Sequence, residues 1–290
     1  MTCSLCPRAC RAERTPDRPG GVCGMPSEPV VARAMLHQWE EPCLTGEHGA
    51  GAVFFSGCNL RCSYCQNKPI SQDGVGKPVT ALRLREIFRE LVAQGAACLD
   101  LVTPTHFTPA ILEALGEEPW PVPVVWNCGG YETPETLRLL EGRVQVYLPD
   151  LKYALPGPAG KYSAAPDYFD RAAPAIWEMF RQTGPYRMEN GHLKSGVLIR
   201  HLLLPGELEN TRRCIDWVSE AFRPGDVLFS LMSQYTPQPG ASGNLSRHVT
   251  RAEYRAAAEY MVNCGIADGY TQERTSAREE YTPDFDLSGV

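Results

Sequence analysis

The stretch GAVFFSGCNLRCSYCQNKPI, residues 51–70, decides how the rest of the chain is interpreted. Its apolar run, residues 52–55, predicts a buried strand that ends just before three cysteines, Cys58, Cys62 and Cys65, spaced C-x3-C-x2-C. A [4Fe–4S] cluster normally takes four cysteines, so three thiolates on one loop would leave one iron open for a ligand that is not protein. A three-cysteine zinc site and unrelated thiols are the alternatives.

Composition restricts the class of protein. The chain has 290 residues, 43% of them hydrophobic, which is enough to bury a full core. It has no apolar run of the roughly 20 residues that cross a membrane, and no apolar signal core at its start. Twelve cysteines then favour metal ligation in the reducing cytoplasm over disulfides. A net charge of −6 offers no general attraction to nucleic acid. We therefore predict a cytoplasmic protein with neither membrane nor nucleic-acid partners.

A second group of cysteines lies at the N-terminus. Its members are Cys3, Cys6, Cys10 and Cys23, in the pattern C-x2-C-x3-C-x12-C. Four cysteines close a metal site completely, so this group predicts structural zinc or an auxiliary iron–sulfur cluster. Thiols that bind no metal are the third reading. The arginines among these cysteines predict a solvated face.

Beyond the cysteine loop, short valine- and leucine-rich runs alternate with helical patterns, which predicts an α/β fold with a parallel sheet. Six buried strands are predicted, at residues 52–55, 98–102, 122–126, 144–148, 197–204 and 227–231. Six such units favour an open, partial (β/α)6 barrel of the TIM type over a closed barrel of eight. We expect three parts: a cysteine-rich metal-binding segment at 1–45, the barrel at 46–270, and a tail at 271–290.

Residues able to contact a ligand lie at the ends of the predicted strands, where β/α barrels carry their chemistry. They are Thr103, Thr105, His106, Asn127, Asp150, Lys152, Arg200, His201 and Met232. Each alone has a structural explanation, such as a helix cap, an ion pair or a hydrogen-bonded core histidine. Asp150 and Lys152, two apart on a strand, would point to one face. As a set these residues predict the rim of one cavity.

The cysteine spacing, with Tyr64 before the last cysteine and Gln66-Asn67 after it, resembles the signature of radical S-adenosylmethionine (radical SAM) enzymes. The resemblance implies that the free iron chelates the methionine end of SAM and that Tyr64 packs near the adenine. It also implies reductive cleavage of SAM to a 5′-deoxyadenosyl radical, which takes a hydrogen atom from the substrate. The strand-end residues supply the donors and acceptors that holding SAM requires.

A narrower resemblance rests on further motifs. The stretches CSLCPRAC, LHQWEEPC, VTPTHF, LPDLKY, RHLLLPG and SLMSQYTP, together with the cysteine loop, resemble proteins related to pyruvate formate-lyase activating enzymes, in the PflX-like branch. The likeness runs from Cys3 to about residue 235. It implies that Asp150 and Lys152 match the D-x-K motif near the methionine end of SAM. It places Arg200, His201 and residues 204–206 on the adenosyl and substrate side.

Two departures from that family concern the substrate. Many activases carry Gly-Gly-Glu after the second strand, where this chain has Thr-Pro-Thr-His, so Thr103, Thr105 and Asn127 would serve instead. The ferredoxin-like insertion of some members is absent, since only a short link separates Cys65 from Cys98.

The sequence therefore predicts a radical SAM enzyme that is reduced by a flavodoxin or ferredoxin and takes hydrogen from a glycine of a glycyl radical enzyme. A radical SAM enzyme acting on a small molecule or peptide is the first alternative. An electron-transfer or binding protein that carries metal and does not cleave SAM is the second.

Three further stretches have an expected role. Residues 153–168, rich in proline and glycine, predict a mobile cover or an inert loop. Residues 30–43 predict a strand or turn in which Trp39 packs and Cys43 is a buried free thiol, and the alternative places Cys43, Glu40 or Glu41 in the substrate cavity. The tail could anchor through Tyr281 and Phe285.

Overall fold

The computed structural model describes residues 2–272 and 283–290. Its strands are β1 Val30–His37, β2 Ala50–Phe55, β3 Lys77–Pro78, β4 Leu99–Val102, β5 Val124–Cys128, β6 Val146–Pro149, β7 Arg187–Glu189, β8 His192–Leu202, β9 Leu228–Met232 and β10 Gly269–Thr271. All belong to one mixed sheet, in the order β10-β9-β8-β6-β5-β4-β2-β1-β3, with β7 paired to β8.

Helices follow most of the strands. They are α1 Pro42–Thr45, α2 Lys68–Ser71, α3 Ala81–Ala93, α4 Thr108–Leu115, α5 Pro134–Arg138, α6 Pro156–Ser163, α7 Tyr168–Thr183, α8 Leu208–Ala221 and α9 Arg251–Asn263. The Thr80 hydroxyl caps α3 by accepting from the Arg83 N–H, and Thr250 with Glu253 forms a capping box at α9.

The six predicted strands correspond to β2, β4, β5, β6, β8 and β9, which pair in parallel in chain order. The α/β class and the mostly parallel sheet are thus confirmed. Curvature of the sheet into a partial barrel stays a prediction. β1 lies within residues 30–43, where a strand or turn was predicted, and it adds an antiparallel strand beside β2.

Strand alternation separates two environments. On β4, Leu99 and Leu101 pack in the large core that the helices cover, whereas Val102 belongs to a cluster on the opposite face. A third cluster includes Cys43 and Leu44 of α1, and so this short helix packs against the strand ends opposite the cysteine loop. Cys43 is therefore a packed core thiol.

Residues 153–168 contain a helix where a loop was expected. Pro156 occupies the first turn of α6, where a missing N–H costs nothing, and Ala159, Tyr162 and Ser163 are buried. The proline- and glycine-rich composition hid this helix, because burial of one face outweighs poor helix propensity. The segment is thus a fixed wall beside the cysteine loop.

The ends of the described chain lie against the sheet. Residues 2–29 carry only isolated β-bridges. Near the C-terminus, the Leu287 N–H donates to the Ala32 carbonyl (3.1 Å), and Phe285 meets Phe54 with ring centroids 5.7 Å apart. Tyr281, the other expected anchor, lies outside the described residues. Within residues 2–272 and 283–290, every helix is too short or too polar to span a bilayer.

Candidate active site

The cysteine loop begins at a turn that only glycine fits. Gly57 has φ +81°, and a Cβ on it would meet the Met25 side chain and the Cys23 carbonyl. Its N–H donates to the Ile70 carbonyl (2.8 Å), which ties the start of the loop to α2. The loop therefore folds back on itself directly after β2.

Each of the three loop thiols has a hydrogen-bond donor aimed at its sulfur. The Ser163 hydroxyl donates to Cys62 Sγ (2.9 Å), the Ser71 hydroxyl to Cys65 Sγ (3.3 Å), and the Leu60 N–H to Cys58 Sγ (3.4 Å). Such donors stabilise negative charge on sulfur and tune bound iron–sulfur clusters. The loop is thus arranged for thiolates.

Burial works against ionised thiols when no metal neutralises them. Burial and the neighbouring Cys62 raise the pKa of the Cys58 thiol to about 12, and the same causes raise the pKa of Cys65. Metal binding removes this cost, since a coordinated thiol is deprotonated outright. The donor set and its environment therefore fit a bound metal group.

The three loop thiols are enough for the proposed kind of cluster. In a [4Fe–4S] cluster each cysteine binds a different iron, so Cys58, Cys62 and Cys65 can bind three of the four irons. A three-cysteine zinc site stays the alternative.

The three cysteines open onto a cavity of about 260 Å³. Ten of the predicted site residues line it, and they are Cys58, Cys62, Tyr64, Cys65, Thr103, Asn127, Asp150, Lys152, Arg200 and Met232. They come from the ends of parallel strands and from the cysteine loop. The structure thus brings most of the predicted set together at one place.

Arg200 is the centre of an ionic network in this cavity. It donates to Asp150 Oδ1 (3.0 Å), Glu40 Oε1 (3.1 Å) and Asn127 Oδ1 (2.6 Å). Lys152 donates to the other oxygen of Asp150. Burial would raise the pKa of Asp150, but Lys152 and Arg200 hold it below its usual value. The expectation that Asp150 and Lys152 share a face is met.

Next to this network lie acidic side chains that were not among the predicted site residues. Asn127 Nδ2 donates to Glu40 Oε2 (3.1 Å) and to Asp100 Oδ2 (3.3 Å). Burial, followed by the charge of Glu40, raises the pKa of Asp100 well above its usual value, and the same causes raise that of Glu41 to about 7. Glu40 lines the cavity, as the alternative interpretation of residues 30–43 predicts. The signal for Asp100 was one acid inside the apolar run CLDLV.

Three predicted site residues do not line the cavity. Thr105 donates to Glu132 Oε1 (2.5 Å), because a 3-10 turn follows β4 and turns it away. His106, on the same turn, contacts the Ser56 carbonyl through Nε2 (2.7 Å). His201 contacts the Leu151 carbonyl (2.6 Å) and the Thr211 hydroxyl (2.9 Å). Neighbours on a strand face opposite ways, so Arg200 and His201 could not both enter the cavity.

These three residues are structural contacts. Burial lowers the pKa of His106 and of His201 to about 4, so both rings are neutral near pH 7. Thr105 and His106 lie on the far side of the cysteine loop. The cavity therefore draws on Thr103 alone from the stretch Thr-Pro-Thr-His.

Tyr64 is fixed beside the thiols by other tyrosines. Its hydroxyl accepts from Tyr153 (3.0 Å), which also contacts the Ser163 hydroxyl (2.7 Å). Its ring meets Tyr162 and Tyr235 edge-on, with centroids 6.2 and 6.4 Å apart. The ring is thus held in one orientation on the cavity wall.

Gln66 connects the segment after β2 with the segment after β9. Its side-chain amide donates to the Gln234 carbonyl (3.2 Å), two residues past β9. Both residues line the cavity. The sequence indicated Gln66 as part of a signature and Gln234 as one of the polar residues after the sixth predicted strand, but not the contact between them.

The N-terminal cysteines pack behind the cysteine loop. Burial raises the pKa of Cys6 to about 12, with smaller contributions from Glu132, Cys23 and Cys3. Their influence on Cys6 places these groups near it. A metal group at these four cysteines stays a prediction.

Comparison with known proteins supports the iron–sulfur reading. Residues 44–114, which include the cysteine loop, match the family described as a 4Fe-4S single cluster domain. Over 272 residues the chain is 29% identical to the uncharacterised protein MJ0674 of Methanocaldococcus jannaschii, covering 89% of this chain and 73% of that protein.

The fold is similar to that of Streptococcus suis SuiB. SuiB bound to S-adenosylmethionine matches 77% of this chain with a TM-score of 0.50 and 12% identity. SuiB bound to its precursor peptide SuiA matches 74% of this chain with the same TM-score and identity. The chain spans about half the length of these structures, 50% and 46%. The likeness therefore concerns the fold.

Proposed function

We propose that this protein is a radical SAM enzyme. The observation that carries the proposal is a single cavity with two chemically different walls. Three thiols, each with a hydrogen-bond donor, form one wall, and Asp150, Lys152 and Arg200 form the other. The match of residues 44–114 to a 4Fe-4S domain and the fold shared with a SAM-bound protein support it.

The chain's own residues would bind and orient SAM. Cys58, Cys62 and Cys65 would hold a [4Fe–4S] cluster, which when bound supplies the electron that cleaves SAM and leaves a 5′-deoxyadenosyl radical. Lys152 presents its ammonium group to a ligand carboxylate, and Asp150 fixes its position.

The remaining lining residues suit the other parts of SAM. Thr103 and Asn127 offer oxygen acceptors to an amino or ribose group, and the fixed ring of Tyr64 offers a face to the adenine. Phe54, Val102 and Leu202 line the cavity as apolar side chains that exclude water from a reactive radical.

The proposed substrate is a glycine of a glycyl radical enzyme, as in pyruvate formate-lyase activation. Flavodoxin or ferredoxin is the proposed reductant, and the cytoplasm the proposed location. We also propose that the six parallel strands curve as a partial barrel, because Gln66 beyond β2 reaches Gln234 beyond β9. The proposal includes a second metal group at the N-terminal cysteines.

A small polar molecule or peptide is the second candidate substrate. The acids Glu40 and Asp100, joined through Asn127, form a floor able to recognise a polar group. A radical SAM activase needs no such floor for a glycine, which has no side chain.

Anaerobic incubation of the iron-reconstituted protein with dithionite and SAM tests the function. We expect 5′-deoxyadenosine and methionine, measured by chromatography, and none from the Cys58, Cys62 and Cys65 triple alanine variant. Absence of both products from the fully loaded wild type would leave the electron-transfer alternative. Co-incubation with a glycyl radical protein then separates the substrates: a glycyl doublet in the paramagnetic resonance spectrum supports activation, and its absence favours the second candidate.

A further inference from the structure

Residues 2–29 fold without helices or extended strands in the part of the chain that the structure describes. Two tight turns shape the segment: the Ala9 N–H donates to the Cys6 carbonyl (3.0 Å), and the Gly24 N–H to the Gly21 carbonyl (3.1 Å). A segment this short has too little apolar surface for a core of its own and usually requires a metal or a disulfide. Its four cysteines are free thiols.

The backbone of the segment is shaped around its sulfurs. Ala9 and Arg11, on either side of Cys10, have φ of 42° and 50°, a conformation uncommon for residues with a Cβ. The backbone N–H groups of Ala12 and Val22 face the Cys10 sulfur. At Gly21 a Cβ would lie 2.8 Å from Cys10 Sγ, so the chain passes tightly over the thiol. Backbone donors in such turns are typical of thiolate ligands.

A guanidinium group lies next to the sulfurs. Arg14 Nη1 is 3.9 Å from Cys23 Sγ, and the same side chain donates to the Pro26 carbonyl (3.3 Å) and the His106 carbonyl (2.9 Å). Two backbone carbonyls thus hold Arg14 in place. A fixed positive charge offsets the negative charge of clustered thiolates.

The donor set and the backbone around it favour iron over zinc. Four cysteines in one segment suffice to bind the four irons of a [4Fe–4S] cluster, with one thiolate on each iron. Left-handed backbone turns beside a sulfur, as at Ala9, Arg11 and Gly21 around Cys10, form the concavities in which Fe–S sites lie. The following segment, residues 44–114, matches a 4Fe-4S domain.

The quartet also lies apart from the cavity. None of its four cysteines lines the cavity, and Cys23 approaches the loop from behind, at Gly57. The guanidinium of Arg61, on the loop, donates to the Val22 carbonyl (3.5 Å). The cysteine loop therefore separates the N-terminal cysteines from the cavity.

We infer that Cys3, Cys6, Cys10 and Cys23 hold a second [4Fe–4S] cluster, closed by four thiolates, on the side of the loop opposite the cavity. Because all four irons carry a protein ligand, this cluster does not bind SAM. The assignment refines the proposed function but does not depend on SAM cleavage.

Iron and sulfide counts test the assignment on the full chain after anaerobic reconstitution. We expect about eight irons in the wild type and about four in the triple variant Cys58→Ala, Cys62→Ala, Cys65→Ala, since each cubane holds four. After chemical reduction, the residual cluster should give a paramagnetic resonance signal that added SAM does not change. Zinc in place of iron, or no metal in a folded triple variant, would overturn the inference.

Two further variants show which cysteines hold the residual iron. Adding Cys6→Ala and Cys10→Ala to the triple variant should remove it, whereas adding Cys264→Ala, a thiol far along the chain on the C-terminal side of α9, should not. Iron that persists without Cys6 and Cys10 contradicts the assignment.

Should the triple variant not fold, Cys6→Ala with Cys10→Ala in the otherwise native chain gives the same information. Iron should fall by about half while the cluster signal that SAM perturbs remains. A native chain with about eight irons but no response to SAM would refute the proposed function and leave the second cluster standing. Unchanged iron in the double variant would refute the second cluster.

Discussion

The two sides of the cysteine loop differ in what surrounds the sulfur atoms. On the cavity side, the donors to Cys62 and Cys65 are the hydroxyls of Ser163 and Ser71, and charged side chains face the thiols across open space. On the back side, backbone N–H groups and one arginine fill the space around the N-terminal cysteines. Groups of cysteines can thus lie in an open environment or in a closed one, depending on whether the surrounding side chains leave a cavity beside the sulfurs.

The largest expected effect separates the two sides by single cysteine changes. Cys62→Ala should abolish the 5′-deoxyadenosine product to the level of the assay blank, because it removes a ligand of the open cluster. In Cys10→Ala the cluster signal that SAM perturbs should persist. Both are read by chromatography and paramagnetic resonance. Product formation by Cys62→Ala at the wild-type rate would contradict the prediction that SAM cleavage requires the cavity-side cysteines.

Removing the cavity-side arginine should cost considerable stability. Arg200→Gln removes the guanidinium that pairs with Glu40 and Asp150 in a largely buried site, where only Asn127 and Lys152 then remain as their partners. We expect a loss of about 3 kcal/mol in the free energy of unfolding. Urea denaturation of the apo-protein measures it. Arg213→Gln, an exposed arginine paired with Glu209, is the matched control and should change stability by less than about 0.5 kcal/mol. Equal effects of the two variants would argue against a buried network.

A back-side histidine gives a pH-dependent effect. Burial lowers the folded-state pKa of His106 from 6.5 to about 4, so the unfolded chain takes up a proton that the folded chain does not. The contribution of neutral His106 to the free energy of unfolding is fully present above about pH 6.5. It decreases by about 3 kcal/mol as the pH falls toward 4. Between pH 6.5 and pH 4, the free energy of unfolding of His106→Gln should therefore fall by about 3 kcal/mol less than that of the wild type.

The comparison uses unfolding free energies of the apo-protein at several pH values. His48→Gln, at an exposed position, serves as the control and should follow the wild type. A His106→Gln profile parallel to the wild type would show that His106 is not held neutral by burial.

The smallest effect concerns one hydrogen bond on the cavity side. Ser163→Ala removes the donor to Cys62 Sγ, which stabilises the more negative, reduced cluster. One bond of about 1 kcal/mol corresponds to tens of millivolts for a one-electron couple, so the reduction potential should fall by that amount. A redox titration monitored by paramagnetic resonance measures it, with Ser246→Ala on the surface as the control. An unchanged potential would mean that this hydroxyl does not act on the cluster.

Sequence reasoning found six of the parallel strands and ten residues that line the cavity, because period and position at strand ends are local signals. It did not find the three-residue strand β10, which pairs in parallel with β9. It did not find the direction of individual side chains. Arg200 and His201 are adjacent, and only strand register decides which one enters the cavity. The 3-10 turn after β4 likewise directs His106 away from the cavity.

Tertiary packing accounts for the other differences. The helix at Pro156–Ser163 forms from residues with poor helix propensity, because its buried face contacts the cysteine loop. Asp100 was overlooked since its partners, Asn127 and Glu40, are distant in sequence. Single-residue chemistry cannot reveal such a pairing before the fold is known.

The bond between Ser163 and Cys62 spans 101 residues of chain. Arg8 is held in the same way by the carbonyls of Ser163 (2.8 Å) and Ala164 (2.6 Å). During synthesis, therefore, the cysteine loop emerges long before the helix that completes its surroundings. Iron delivered to the nascent chain would reach the cysteine loop before α6 has been made. Insertion of iron should therefore follow, rather than accompany, translation of the first half of the chain.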